Sequence, residues 1–365
     1  MYQKLVFALF ILFAGQNLGF AQTESDSSKQ KSLHVSGYAE AYYIYDFTNP
    51  SDHNRPDFFY AYDRHNEINV NLAQIELAYE KDRVKGNLAL MTGTYASSNL
   101  SHEPPIYRMI SEASVSYKLS KKSETWVTAG VFPSHIGFES AIGADCWNMT
   151  RSLAAENSPY YLAGAKLYTS TKNKKWDFGL TVANGWQRIQ RLSGNQLMGL
   201  GHQITYYPNE KWTINSSSYV GSEFPDSTRR MRYFHDFYTS AEVSKKLSLL
   251  LGFDIGVEQK SKGSSDYNMW YVPTILAKYE VNPKFSIGAR LEHYSDENEV
   301  VISTNSGDGF AMLGYSLNLD FQLTEQLLFR LEGRSLHNER AIYTVGNGTT
   351  KNNVFVGTSL ALRFD

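Results

Sequence analysis

Apolar and polar residues alternate along much of this chain, and the alternation is cleanest near its carboxyl end, in residues 353–365. A period of two is that of a β-strand and not of a helix. The first face holds Val354, Val356, Thr358, Leu360, Leu362 and Phe364, and the second holds Phe355, Gly357, Ser359, Ala361 and Arg363. An apolar face opposite a face of small and charged residues predicts an outer-membrane barrel strand, with the last strand of a soluble sandwich as the alternative.

Short clusters of charged and turn-forming residues recur along the chain at nearly regular intervals. They lie at residues 81–83, 121–123, 172–175, 208–210, 244–246, 282–284 and 324–326. Longer polar segments lie before, between and after them, at residues 46–65, 97–105, 133–159, 185–196, 221–230, 259–268, 295–309 and 337–351. Seven short turns and eight long loops predict sixteen strands. Short turns at one rim and long loops at the other are typical of outer-membrane barrels.

The predicted fold is therefore all-β, a closed antiparallel transmembrane barrel of about sixteen strands over residues 33–365. The last strand must pair with the first strand, residues 33–45, because an open sheet edge is not tolerated in lipid. Alternation slips near Ala73, which predicts a β-bulge there. A barrel of sixteen strands is wide enough to leave an aqueous channel.

Aromatic residues recur where the predicted strands meet the short turns, and we expect them to form an interfacial girdle. The set comprises Tyr79, Tyr117, Trp126, Trp176, Tyr206, Trp212, Tyr279, Phe285, Phe321 and Phe364. A terminal strand that ends near Phe364 resembles the signal by which outer-membrane barrels are recognised for assembly, so Phe364 is the predicted assembly signal. The predicted partners include the barrel-assembly machinery, outer-membrane lipid and lipopolysaccharide.

The amino terminus has the pattern of a secretory signal peptide. Lys4 precedes an apolar run at residues 5–14, and small Gly19 and Ala21 precede the expected cleavage site. The run is shorter than the roughly 20 apolar residues that a membrane helix needs. Residues 1–21 are therefore predicted to direct export through the Sec pathway, residues 22–32 to form a flexible polar tail, and the mature chain to reside in the outer membrane of a Gram-negative bacterium.

Composition and charge exclude several classes of function. Basic and acidic residues nearly balance, at a net charge of −2, and no basic patch stands out, so nucleic acid is not an expected partner. Cys146 is the only cysteine, which excludes an internal disulfide. The histidines lack the spacing of a metal site, and no set of catalytic residues is evident. We therefore expect no metal, no cofactor and no enzymatic activity.

Charged residues share the predicted lumen face of strands near the carboxyl end. The candidate lumen wall comprises Arg290, Glu292, Arg330, Glu332, Arg334 and Arg363. The candidate pore constriction, on the long loop at 133–159, comprises Glu139, Asp145, Arg151 and Glu156. Two interpretations remain open: a basic wall facing loop acids and setting a transverse field, or charges that solvate the lumen and pair along the wall.

The segment at residues 131–166 resembles the OmpL-like outer-membrane β-barrel porins, found mainly in Bacteroidetes. Its most recognisable parts are GVFPSHIGFESAIG, CWNMTRS and AENSPYYLAGAK. The resemblance covers the whole mature chain, and it implies a barrel with a porin role and carries no catalytic residues.

The loop at 133–159 is the longest and the third among the long ones, and it is called the third long loop below. Asp145 can cap a short helix in which Cys146, Met149 and Leu153 share one face, with an end near Asn157. In general porins the third loop folds into the lumen, so we expect this loop to narrow the channel. The alternative is a loop that packs over the mouth or against a neighbouring subunit.

These observations predict an outer-membrane porin for passive diffusion of small hydrophilic solutes. By analogy with general porins, a homotrimer is a further hypothesis. Two other classes of protein remain as alternatives: a surface-exposed binding or adhesin barrel, and an outer-membrane barrel enzyme.

Overall fold

The computed structural model describes residues 32–304 and 307–365, and the predicted signal peptide and nearly all of the predicted tail lie outside the described residues. These described residues contain eighteen strands, sixteen of which close into one antiparallel barrel. The first nine are β1 (Leu33–Asp46), β2 (Ile68–Lys81), β3 (Val84–Thr92), β4 (Ile110–Lys118), β5 (Glu124–Pro133), β6 (Tyr161–Ser170), β7 (Trp176–Ala183), β8 (Gly199–Tyr206) and β9 (Trp212–Gly221). The remainder are β10 (Arg232–Glu242), β11 (Leu247–Gln259), β12 (Tyr267–Asn282), β13 (Phe285–Asp296), β14 (Phe310–Gln322), β15 (Leu327–Asn338), β16 (Tyr343–Val345), β17 (Gly348–Thr350) and β18 (Asn352–Phe364).

Each barrel strand pairs with its neighbours in the sequence, and β1 pairs with β18 to close the ring. The short strands β16 and β17 pair only with each other, within the last long loop. The predicted count of sixteen barrel strands and the predicted pairing of the first strand with the last are both confirmed. Because the ring is closed, no sheet edge is left without a hydrogen-bonding partner in the membrane.

The connections at the two rims differ in length, as the turn pattern predicts. All seven short turns lie at the predicted positions, and the eight long loops lie at the other rim. Asp82 and Lys174 adopt positive φ values of 56° and 54° in two of the short turns. No helix among residues 32–304 and 307–365 has the length and apolar content to cross a bilayer. The two short α-helices, α1 (Thr94–Asn99) and α2 (Leu153–Glu156), belong to long loops.

A β-bulge interrupts the pairing of β1 with β2 close to the predicted phase slip. The partner of Glu40 is Leu72, whereas the partner of Ala41 is Val70, so Asn71 is left over. Its buried side chain donates to Glu40 Oε2 at 3.1 Å and accepts the Tyr62 amide at 3.0 Å. The bulge thus aims a hydrogen-bonding group into the lumen.

Aromatic rings line the lipid-facing side of the short-turn rim, where Trp176 stacks on Tyr206 with ring centroids 4.1 Å apart. Trp126 is an exception to the predicted girdle. It alternates with the exposed Val127 and shares the face of buried Thr128, so its ring lies inside the barrel. There the Lys85 ammonium lies 4.5 Å from the ring centroid, in a cation–π contact.

The seam between β1 and β18 depends on a glycine. Gly37 is the register partner of Phe364, and the phenylalanine ring covers it. A Cβ at Gly37 would lie only 2.1 Å from Phe364 Cζ, so no side chain fits there while the ring stays in place. The packing of a ring over a glycine therefore helps to fix the seam.

We expect Gly37→Val to displace Phe364 and destabilise the barrel by about 1–3 kcal/mol, the usual range for overpacking. The measurement is the temperature at which the compact band on a denaturing gel converts to the unfolded band. Gly333→Val is the matched control, because Gly333 also lies mid-strand and an added Cβ there would meet nothing within 4 Å. Equal conversion temperatures for the two variants would contradict this account of the seam.

Candidate channel lumen and third long loop

The third long loop lies inside the barrel, and its backbone is bonded to side chains of the lumen wall. The Met149 amide donates to Asn318 Oδ1 on β14 at 3.1 Å. The Thr150 and Leu153 amides donate to Glu332 on β15 and Glu292 on β13, each at 2.6 Å. These acceptors lie on the buried faces of their strands. The predicted inward position of the loop is confirmed by these contacts.

Three arginines of the predicted lumen wall hold the same loop through its carbonyl groups. Arg330 donates to the carbonyls of Gly143 and Cys146 at 2.7 and 2.8 Å. Arg290 donates to the Thr150 carbonyl at 2.6 Å, and Arg334 donates to the Arg151 carbonyl at 3.0 Å. Hydrogen bonds from a charged donor are stronger than neutral ones, so these contacts fix the path of the loop.

The same arginines form ion pairs with carboxylates of neighbouring strands. Glu292 pairs with Arg290 at 3.2 Å and with Arg334, and Glu332 pairs with Arg290 at 2.9 Å. All four of these side chains are buried. These contacts match the second interpretation, in which charges pair along the wall. Removing one member of such a pair lowers stability strongly, because the other member is left as an unpaired buried charge.

One further pair on the wall was not among the predicted site residues. Asp320 on β14 binds Arg330 at 2.7 Å. Asp320 follows Gly314, Ser316 and Asn318 on the polar face of its strand, so alternation alone could have found it. Among the described parts of the chain, the one ion pair between the wall and an acid of the third long loop joins Arg363 to Asp145 at 2.6 Å.

Two of the predicted constriction residues stabilise the loop itself. Arg151 is fully buried and donates to the carbonyls of Ser140 and Ala141, at 2.7 and 2.8 Å. Glu139 accepts the Ser152 amide at 2.8 Å and also the Ser152 hydroxyl. These hydrogen bonds join residues 139–141 to residues 151–152, on the two halves of the loop.

Glu156 connects the third long loop to the first long loop, residues 47–67. Its buried carboxylate accepts the amides of Tyr60 and Ala61 at 2.9 and 3.2 Å. Burial raises the pKa of Glu156 to about 7, and the two amides only partly oppose this shift. Tyr62 of the same segment donates to Glu40 on β1 at 2.9 Å. The first long loop therefore also enters the lumen.

Sequence reasoning missed this role of the first long loop. A signal was available, since the run Phe58-Phe59-Tyr60-Ala61-Tyr62 is apolar and aromatic within an otherwise polar segment. The Arg55 guanidinium lies between the rings of Phe59 and Phe355, at 4.1 and 4.0 Å from their centroids. It also pairs with buried Asp46 at 3.4 Å.

The predicted helix following Asp145 is wrong. Gly143–Asp145 forms a single 3₁₀ turn, and the α-helix α2 spans only Leu153–Glu156. Ser152 caps it by accepting the Ala155 amide at 3.2 Å. The intervening backbone is not helical because its amides donate to the lumen wall instead of to carbonyls four residues earlier. The predicted end near Asn157 is confirmed, since Asn157 is the carboxyl-terminal cap.

Part of the lumen is left open by the two inward loops. A cavity of about 1030 Å³ lies at the short-turn rim, within the arc of β3 to β8. The arginine and carboxylate contacts of the third long loop are to β13, β14, β15 and β18. The loop also bonds to β9, where the Ser217 hydroxyl donates to the His135 carbonyl at 2.8 Å, and to β1, where the Ala144 amide donates to the Tyr38 hydroxyl at 3.2 Å. Within the described ranges no three histidine, cysteine, aspartate or glutamate side chains come together as a metal site.

Comparison with known proteins identifies a matching family. The family model described as "Putative beta-barrel porin-2, OmpL-like" matches residues 32–364. A comparison with curated protein sequences gave no match.

Solved structures with a similar fold include three outer-membrane proteins. The channel DcaP of Acinetobacter baumannii is 10% identical, with a TM-score of 0.62, over 91% of this chain and 97% of that chain. An anion-selective porin from Comamonas acidovorans is 9% identical, with a TM-score of 0.59, over 91% and 99%. The trimer form of OmpT, an outer-membrane protein of Vibrio cholerae, is 8% identical, with a TM-score of 0.57, over 91% and 99%. At these identities the likeness concerns the fold alone.

The hydrogen bonds of Glu332 predict a large effect of its removal. Glu332→Ala deprives the Thr150 amide and hydroxyl of their acceptor and leaves Arg290 with one carboxylate partner fewer. We expect a loss of about 3–5 kcal/mol in the free energy of unfolding, as for other broken buried pairs. Urea unfolding followed by tryptophan fluorescence would measure it.

Asp145→Ala is the matched control, because it removes the exposed pair of Asp145 with Arg363. Its expected effect is within about 1 kcal/mol. A loss for Glu332→Ala as small as that of the control would show that the wall does not hold the loop.

Proposed function

Since the chain belongs to the OmpL-like family of β-barrel porins, we propose that it forms a water-filled channel through the outer membrane for passive diffusion of small hydrophilic solutes. The observation that carries this proposal is the combination of a closed sixteen-strand barrel with a long loop anchored inside its lumen. A barrel of this size is wide enough for an aqueous passage. The cavity within the arc of β3 to β8 gives such a passage room.

The third long loop sets the narrowest part of the proposed channel. Five residues of the lumen wall hold the loop in this position. They are Arg290, Glu292, Arg330, Glu332 and Arg334. Glu139, Arg151 and Glu156 maintain the shape of the constriction from within, and Asp145 with Arg363 contributes the more exposed charges.

The two ends of the chain direct its export and its assembly. The amino-terminal segment directs the chain through the Sec pathway and is removed after Ala21. Phe364 serves as the signal for the barrel-assembly machinery, and its position on the outer face beside Gly37 supports contact with lipid. The mature barrel then resides among outer-membrane lipid and lipopolysaccharide.

Transport is favoured over the two alternative functions. The family is one of porins, which supports a channel and not an enzyme. An adhesin would present its long loops outward, whereas the first and third long loops bend into the lumen and bond to each other through Glu156.

We also propose that the barrel forms a homotrimer, because a polar cluster lies on its lipid-facing side. His202 bonds to Ser218 at 2.5 Å, and His235 bonds to Ser216 at 3.0 Å. His202 and His235 share the outer face of their strands, β8 and β10, with the lipid-facing Ile204 and Phe237, and the two serines lie on β9 between them. Imidazole groups facing hydrocarbon are costly, whereas a subunit contact can supply hydrogen bonds. The OmpT neighbour is described as a trimer.

Shortening the third long loop tests the proposed channel. Replacing residues 143–155 by a short glycine-serine linker removes the backbone that the wall arginines hold. We expect single-channel conductance in planar bilayers to rise about two-fold, since a wider bore admits more ions. Deletion of residues 262–264, in the loop between β11 and β12, is the control and should leave conductance unchanged. Equal conductance in both variants would remove the constriction role.

Replacing the outer histidines tests the proposed homotrimer. His202→Leu with His235→Leu should reduce the mass of the detergent-extracted complex from trimer to monomer, because the interfacial hydrogen bonds are lost. Light scattering after size-exclusion chromatography measures that mass. His293→Leu makes the same change on the outer face of β13, away from the cluster, and should leave the trimer intact. A wild-type monomer, or a variant that stays trimeric, would rule out this interface.

A further inference from the structure

The cavity at the short-turn rim is strongly basic. Six lysines and two carboxylates line it. They are Lys85, Lys121, Lys122, Lys166, Lys172 and Lys174, with Glu124 and Asp177. The chain as a whole is slightly acidic, at a net charge of −2, so this concentration of lysines is local and is not a property of the composition.

The two carboxylates of the cavity are already engaged by other groups. Glu124 pairs with Lys118, which is not one of the six lysines. Asp177 accepts hydrogen bonds from the hydroxyls of Ser170 and Tyr207, at 2.6 and 3.2 Å. Among the described residues, neither carboxylate forms an ion pair with a lysine of the cavity.

Most of the six lysines form no ion pair within the described residues. Lys85 pairs with Glu80 at 3.1 Å. The other five have no carboxylate within ion-pair distance in the portion of the chain that the structure describes. With six lysines and two carboxylates, the lining carries an excess of positive charge.

Lys166 lies deepest among the six. It is on β6, opposite the buried Thr128 on β5 and Thr181 on β7, so its side chain is directed into the lumen. Its ammonium lies 4.7 Å from the centroid of the Phe132 ring. An aromatic face holds an ammonium group in position without neutralising it. Lys85 has the same kind of contact with Trp126, so two cations are held at the wall of the cavity.

We propose that this cavity is an anion-binding vestibule of the channel, which selects small solutes that carry carboxylate or phosphate groups. The proposal rests on the channel function proposed above and assigns its solute class. A cleft lined by one sign of charge between low-dielectric walls concentrates solutes of the opposite sign. The hydroxyls of Ser116 and Thr128 in the same lining bond to each other at 2.8 Å, so one of the two keeps its O–H as a donor for such groups.

The test measures charge selectivity of the full-length protein, purified from membranes and inserted into planar bilayers under a KCl gradient. We expect a reversal potential that gives a permeability ratio of Cl⁻ to K⁺ above one. Lys166→Gln should lower this ratio several-fold, and Lys166→Glu should bring it below one. The double variant Lys121→Gln, Lys122→Gln, on an exposed turn, should also lower the permeability ratio. It provides the test if the Lys166 variants fail to assemble.

Two controls separate the cavity from general charge effects. Lys245→Gln makes the same change on the same rim outside the cavity lining, and it should leave the ratio unchanged. Inorganic phosphate added on the short-turn side should reduce the Cl⁻ current of the wild type more than that of Lys166→Gln.

The outcomes distinguish the two proposals. Conductance steps with a ratio at or below one, or a ratio that the cavity variants leave unchanged, would overturn anion selection while the channel function stands. A wild-type protein without any conductance steps would overturn the channel function, and anion selection with it.

Discussion

The interior arrangement of this barrel depends on a row of buried guanidinium groups that bind backbone carbonyls. Arg290, Arg330 and Arg334 each need a negative partner because they lie within the protein, and neighbouring carboxylates on the wall supply it. Their remaining donors are then free to bind the third long loop. Were the wall apolar, the loop would leave its amides and carbonyls unpaired inside the barrel, which folded proteins avoid. The charged wall and the inward loop are thus mutually dependent.

The barrel itself could be predicted from the sequence because its determinants are local. Strand alternation has a period of two, and turn residues such as Asp82 mark each reversal of direction. Closure followed from a general constraint, since lipid does not satisfy an open edge. Even the bulge at Asn71 left a visible slip in the alternation.

The interior could be predicted only in part because its determinants are contacts between distant residues. Asp145 resembles a helix cap in sequence, yet the following amides bond to Asn318 and Glu332, far along the chain. The place of Trp126 beside a turn predicts a girdle residue, whereas its alternation with exposed Val127 places it in the lumen. The aromatic run of the first long loop gave a signal whose partner, Glu156, could not be identified without the fold.

The way in which the wall holds the third long loop also bears on how the pore can evolve. The arginines bind carbonyl oxygens, and every amino acid has one. A substitution at a loop position whose own side chain makes no such contact therefore keeps these bonds, provided that the backbone path and its amides are preserved. Attachment and solute preference are in this sense encoded by separate sets of atoms. At such positions the bore can acquire new chemistry by single substitutions, with no compensating change in the wall.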